Sequence, residues 1–157
     1  MFRDTFETRF TYLNGFLRNV SRFGSRPALY DPLSGRRWTY VQLNAEANRL
    51  AHALRADGVG KNDVVMFTLL NSPEFVFCYL AAHKVGAIAC PVNYRQGAGE
   101  IALVIDDSRP KAFIYDAEFG ELSGGALELC ENKPQTIVMV DYKGGASAPA
   151  GHTLYSD

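Results

Sequence analysis

From Phe75 to Ala82 the chain reads Phe-Val-Phe-Cys-Tyr-Leu-Ala-Ala, a run with no polar side. Periodicity does not separate a short apolar run from a buried strand, so the flanks decide. Ser72-Pro73-Glu74 supplies an N-cap, a proline at the first helical position and an acid near the positive end of the helix dipole, and Lys84 with Gly86 supplies the C-terminal signals. A helix over Pro73–Val85 is predicted. A helix that is apolar all round needs protein on more than one face, which is more than a chain of this length is expected to provide. The mismatch points to a piece of something larger, with one face of this helix left bare.

The remaining pattern is regular. Phe2, Phe6, Phe10, Leu13, Leu17 and Val20 recur at roughly helical spacing and predict an N-terminal helix. Ala28-Leu29-Tyr30 and Arg37-Trp38-Thr39 flank Asp31-Pro32-Leu33-Ser34-Gly35, a turn composition that predicts a small hairpin. Thr39 stands three residues before Gln42, a capping-box spacing. An amphipathic helix follows, with Tyr40, Leu43, Ala47, Leu50, Ala51 and Leu54 on one side, ending near Gly58. Val64–Leu70 is a continuous β-prone run of the kind found in strands covered on both faces, so it belongs in the interior of a sheet. Ala87–Val92, Ala112–Tyr115 and Thr136–Val140 read as further strands. A helix near Gly99–Asp107 separates the first two, and a weaker one, disturbed by Gly124-Gly125, precedes the third. Strands alternating with helices imply right-handed crossovers. The predicted fold is α/β, a mostly parallel doubly wound sheet with helices on both faces, preceded by an N-terminal helix and a small β-hairpin. Gly144–Gly151 has a linker composition, so residues 1–143 are expected to form the folded unit and 144–157 a tail with no element of its own.

Composition narrows the class. With 47% hydrophobic and 21% charged residues the 157-residue chain has the mix of one globular unit, and a net charge of -1 without a basic stripe argues against a nucleic-acid surface. Cys78, Cys90 and Cys130 are far apart in apolar surroundings and are expected to be reduced core residues without metal-ligand spacing. No apolar run approaches the ~20 residues of a transmembrane helix. Asp4 and Glu7 interrupt any signal or transit pattern, so a cytoplasmic location is expected. His83 beside Lys84 is read as answering the helix dipole, and neither His52 nor His152 forms a metal pattern. Asp106, Asp107, Asp116 and Glu118 are read as solvated helix ends rather than a magnesium site, and Asn19-Val20-Ser21 as a chance acceptor triplet.

Two blocks carry a resemblance. Arg37-Trp38-Thr39-Tyr40-Val41-Gln42-Leu43 and the run from Leu80 to Arg95, which contains Lys84-Val85-Gly86-Ala87 and Pro91-Val92-Asn93-Tyr94-Arg95, resemble the first two recurring motifs of the adenylate-forming (AMP-binding) enzymes. Gly58–Val65 and Asp106–Lys111 fit the pattern between and after them, and the likeness runs from about Tyr12 to Val140. The Pro-Val-Asn-Tyr-Arg turn is more like fatty-acyl-CoA ligases than peptide-synthetase adenylation domains.

The resemblance implies the N-terminal part of an acyl-CoA synthetase, whose chemistry activates a carboxylate with ATP and magnesium and passes the acyl group to coenzyme A. It implies no catalytic residue here. The family's phosphate loop, rich in Ser, Thr and Gly and ending Pro-Lys-Gly, has no counterpart: Gly124-Gly125 and Gly144-Gly145 lack the hydroxyls and the lysine. The family's magnesium-binding glutamate, ribose-binding aspartate and C-terminal lysine are also missing, so the chain alone is expected to bind no cofactor and to be inactive. Asn93, Tyr94 and Arg95, just past a strand's carboxyl end where α/β sheets place ligands, are the candidate residues for the channel that takes coenzyme A or the acyl chain. Expected partners are the remainder of the enzyme and, through the 73–85 face, a second copy. The rival reading is a free-standing doubly wound binding, regulatory or interaction domain.

Overall fold

The computed structural model describes residues 10–156; Phe2, Asp4, Phe6 and Glu7 lie outside that range. Helix α1 (Tyr12–Phe23) starts at Thr11, whose hydroxyl accepts from the Asn14 amide at 3.2 Å. Its apolar side rests on the body of the protein, but none of its residues is fully buried. Strands β1 (Pro27–Tyr30) and β2 (Arg37–Thr39) form the antiparallel hairpin. Thr39 then caps α2 (Tyr40–Ala56) in a closed capping box: its hydroxyl accepts from the Gln42 amide, and the Gln42 side chain accepts from the Thr39 amide at 2.9 Å.

β3 (Val64–Thr68), α3 (Pro73–Val85), β4 (Ile88–Pro91), α4 (Ala98–Ser108), β5 (Ala112–Asp116), a 3-10 turn (Ala117–Phe119), α5 (Gly120–Leu129) and β6 (Thr136–Val140) follow. A last strand, β7, is Thr153–Leu154. Among the described residues the large sheet has the order β4-β3-β5-β6-β7, and every pairing is parallel. β3 has neighbours on both sides, as its unbroken apolar run requires. The chain leaves β3 in one direction to reach β4 and then passes to its other side for β5, so the strand order reverses around β3, where open α/β sheets form a ligand crevice.

Alternation along the strands builds two cores. Val65, Phe67, Ala112, Ile114, Val138 and Val140 point to the layer holding α2 and α3, whereas Met66, Phe113, Tyr115 and Met139 point to α4 and α5. The helices therefore cover both faces, as the strand–helix alternation predicts.

Three expectations need correction. First, α3 is not bare: Phe77, Cys78, Leu80, Ala81 and Ala82 are buried against α2 and the sheet, and none of its residues is fully exposed. The chain is long enough to supply most of the sandwich because α2 and the hairpin close over the helix; Phe75, Val76 and Tyr79 are left as a half-buried apolar stripe. Second, Gly124 and Gly125 do not disturb α5, which runs through both. A Cβ at Gly125 would lie 3.4 Å from that of Ala98, so the glycine permits a close approach of α5 to α4. Third, the residues after Gly144 carry β7, which pairs with Val138 and Met139 of β6. Asp141 organises the glycine-rich stretch by accepting from the amides of Gly144 at 2.9 Å and Ala146 at 2.6 Å. Tyr155 then packs on the α2–α3 core, and its amide donates to the Met139 carbonyl at 2.9 Å.

Candidate functional site at the carboxyl edge of the sheet

All strands of the sheet are parallel, so the segments that follow β3, β4, β5 and β6 emerge on one edge. After β4 come Asn93, Tyr94 and Arg95. Asn93 shapes the turn: its side-chain oxygen accepts from the Arg95 amide at 3.0 Å and its carbonyl from the Gln96 amide at 3.1 Å. Tyr94 lies flat on Phe119 of the segment after β5, with ring centroids 4.8 Å apart and planes 5° from parallel. The Arg95 guanidinium lies 5.9 Å from the Tyr94 ring centroid, and Arg95 and Asn93 are exposed. The three predicted residues thus form one feature, a ring stack fixed across two loops with a free-facing guanidinium fork beside it, a donor geometry suited to phosphate or carboxylate oxygens. Phe119 is the member that sequence reading missed. Nothing in its local spacing shows that it pairs with a ring more than twenty residues earlier.

On the same edge the hairpin turn is tied to the end of β6. Asp31 is buried and accepts from the Ser34 hydroxyl, from the Leu33 amide at 3.1 Å and from the Tyr142 hydroxyl at 2.6 Å. The Ser34 and Tyr142 hydrogen bonds hold its carboxyl below the usual carboxylate range. A cleft of about 200 Å³ lies between this turn and the start of α3, lined by Tyr30, Asp31, Asn71, Ser72 and Pro73 among others.

The acidic set separates. Asp106 is a loop clamp, accepting from the amides of Glu131 at 2.9 Å and Asn132 at 2.8 Å, and Asp107 and Glu118 are exposed. Asp116 is not a solvated helix end: it is 3% exposed, because β5 is interior and the 3-10 turn folds over its last residue. Glu74, the acid in the first turn of α3, is also buried. Among the described residues no group of three or more His, Cys, Asp or Glu side chains is placed to hold a metal ion. The described residues thus offer magnesium no such ligand set.

The stripe left on α3 forms an apolar groove of about 480 Å³ with Tyr12 and His83. Phe75 and Tyr79 stack at 6.2 Å, and the His83 ring meets Tyr79 at 5.2 Å and Tyr12 at 5.6 Å. His83 does not act as a helix-dipole cation: burial pushes its pKa down, and its Nδ1 is buried without a partner. His152 is shared into the fold by a 2.7 Å hydrogen bond between its Nδ1 and the Tyr115 hydroxyl. Cys78, Cys90 and Cys130 are all unpaired, and no helix of the described residues is long and apolar enough to cross a membrane.

Comparisons with known proteins agree with this architecture. The AMP-binding enzyme family model matches residues 16–153. The chain is 41% identical over 112 residues to a 3-hydroxybenzoate/4-hydroxybenzoate CoA ligase of Thauera aromatica, covering 71% of this chain and 21% of that one. It is 42% identical over 90 residues to the long-chain-fatty-acid CoA ligase FadD13 of Mycobacterium tuberculosis, covering 57% and 18%. Among solved structures, an anthranilate CoA ligase in complex with anthranoyl-AMP superposes with a TM-score of 0.80 at 26% identity, covering 90% of this chain and 26% of that one. A fatty acyl CoA synthetase of Mycobacterium tuberculosis gives 0.73 at 32% identity, covering 83% and 26%. The chain thus spans about a fifth of the length of the curated relatives it matches. The likeness holds in sequence as well as in strand order, which is more than shared scaffold rules produce, and the chain belongs to the AMP-binding enzyme family.

Proposed function

We propose that this chain is the N-terminal part of an ATP-dependent acid–thiol ligase. In the complete protein a carboxylate oxygen attacks the α-phosphorus of ATP, pyrophosphate leaves, and the acyl group then passes from AMP to the thiol of coenzyme A. The observation that carries this reading is the family match across 16–153, combined with CoA-ligase relatives of which the chain spans about a fifth. ATP, magnesium and coenzyme A belong to the complete enzyme. The chain alone is inactive, a reading supported by the lack of any Ser/Thr/Gly-rich loop ending Pro-Lys-Gly in its sequence. Asn93, Tyr94 and Arg95 border the path of coenzyme A or the acyl chain, supported by the exposed guanidinium beside a rigid ring stack at the carboxyl edge. Within this reading residues 1–143 form a subdomain of the enzyme, and the residues after Gly144 add β7 to its sheet.

The acid is a fatty acid, on the strength of the Pro91–Arg95 turn and the identity with FadD13. A hydroxylated aromatic acid is the second reading, favoured by the longer alignment with the hydroxybenzoate ligase. The apolar groove on α3 is covered by the rest of the polypeptide in the complete enzyme and by a second copy when the chain is alone. Three unpaired cysteines support a cytoplasmic setting. The test begins with the coding sequence after Asp157, where an open frame carrying the Ser/Thr/Gly-rich Pro-Lys-Gly loop is expected. The protein it encodes is then assayed for CoA thioester formation with fatty and hydroxybenzoic acids. Thioester from a fatty acid supports the first reading, thioester from a hydroxybenzoate the second, and none from either panel overturns the assignment.

A further inference from the structure

Helix α1 rests on the body of the protein without sinking into it. Leu13, Phe16, Val20 and Phe23 on its inner side are half-buried, and none of its residues is fully buried. Beneath it, between α1, β1, α2 and α3, lies a cleft of about 530 Å³, a size that holds small organic ligands. Phe16, Leu29, Leu43, Val76 and Leu80 make its lining apolar, and Gly15 completes one wall. Glycine in a helix interior costs about 1 kcal/mol relative to alanine. No packing among the described residues requires it here, since a Cβ at Gly15 would meet nothing within 4 Å.

A cation stands at one end of this cleft. Lys84 lies one helical turn beyond Leu80, and its ammonium is 5.9 Å from the Phe16 ring centroid. Its Nζ donates to the side-chain oxygen of Asn44, the neighbour of Leu43, at 2.7 Å. An ammonium carries three donors, and that bond uses one of them. Among the described residues no carboxylate lies within ion-pair distance of Lys84; the pairs formed are those of Arg49, Lys111 and Lys143. Lys84 is half-buried, and burial pushes its pKa down. An anion beside it would offset that lost hydration.

We propose that the cleft beneath α1 binds a monocarboxylate with an apolar chain, its carboxylate accepting from Lys84 and its chain lying against Phe16, Leu43, Val76 and Leu80. An apolar trough with a single cation at its end matches a single anionic head on an apolar tail. A neutral apolar molecule would fill the trough and leave the ammonium without an anion. Inorganic phosphate would meet the ammonium and leave the apolar lining in water, forgoing the larger part of the available gain. The charge-assisted hydrogen bond fixes which end of the ligand faces Lys84. The site is built from this chain's own residues and does not rest on the ligase reading.

The experiment is isothermal titration calorimetry of the 157-residue chain with decanoate and with its neutral counterpart decanol, at low salt and below the micellar concentration. The wild-type chain is expected to bind decanoate about tenfold more tightly than decanol, the gain from one hydrogen bond to a charged group. Lys84→Met keeps the aliphatic stem and should bring the two ligands within about twofold of each other, while Lys84→Arg keeps the preference. Gly15→Leu puts a better helix former in the wall and should abolish binding of both ligands by filling the cleft. Equal affinities in the wild type, no saturable binding of decanoate, or an unchanged preference in Lys84→Met would overturn the proposal. Binding that survives Gly15→Leu would place the ligand elsewhere and overturn it as well. The wild-type comparison of the two ligands stands even where a variant fails to fold.

Discussion

Phe77 shows how much one side chain holds. It is 2% exposed and meets Trp38 edge to face with centroids 5.7 Å apart, so it joins α3 to the hairpin. Phe77→Ala removes that contact and leaves a cavity, with an expected loss of ~3–5 kcal/mol in denaturant unfolding. His152 gives a pH signature. Burial holds its pKa below the ordinary 6.5, so as pH falls through about 6.5 the unfolded chain takes up a proton that the folded chain refuses, and stability declines. His152→Gln should flatten the fall in melting temperature between pH 7 and 5; an unchanged slope would assign the decline to His83, which burial shifts the same way. Both histidines act against Asp116, whose carboxyl burial pushes up so that it favours low pH. Neither environment was legible in the sequence. His83 beside Lys84 reads as a dipole partner, and the rings of Tyr12 and Tyr79 that bury it come from packing that spacing does not specify.

Elements were the most legible level, because caps and turns act locally. Thr39 and Gln42 announce the start of α2, Pro73 the start of α3, and Gly86 its end at a φ of 79°. Gly86→Ala meets only ordinary contacts with Lys61 at 3.5 Å, so its cost is conformational, expected at about 1 kcal/mol in equilibrium unfolding. The glycines of α5 misled for a physical reason: glycine lowers helix propensity by about 1 kcal/mol, but tertiary contact repays it where α5 comes close to α4. Gly125→Val should therefore destabilise the chain even though valine is the better helix former, by pressing on Ala98. Urea midpoints for Gly124→Ala and Gly125→Val check this, the first rising or holding and the second falling. β7 was hidden because two residues carry no periodicity; only the parallel partner in β6 defines it.

At the scale of the molecule, the all-round apolar helix did not mark a shortage of cover. The chain covers most of α3 by itself, and what remains is the groove of Phe75, Val76 and Tyr79 beside Tyr12 and His83. If that stripe pairs with a second copy, light scattering across dilution will give a dimer that Val76→Glu converts to monomer; a monomer at every concentration would leave the groove to the rest of the enzyme alone. The central claim is that the fold is a family scaffold whose adenylation chemistry lies outside these residues. ATP–pyrophosphate exchange measures it most directly, run on the complete protein with a panel of carboxylic acids beside the 157-residue chain. Exchange by the complete protein and none by the chain is the predicted result; exchange by the chain alone would contradict the account.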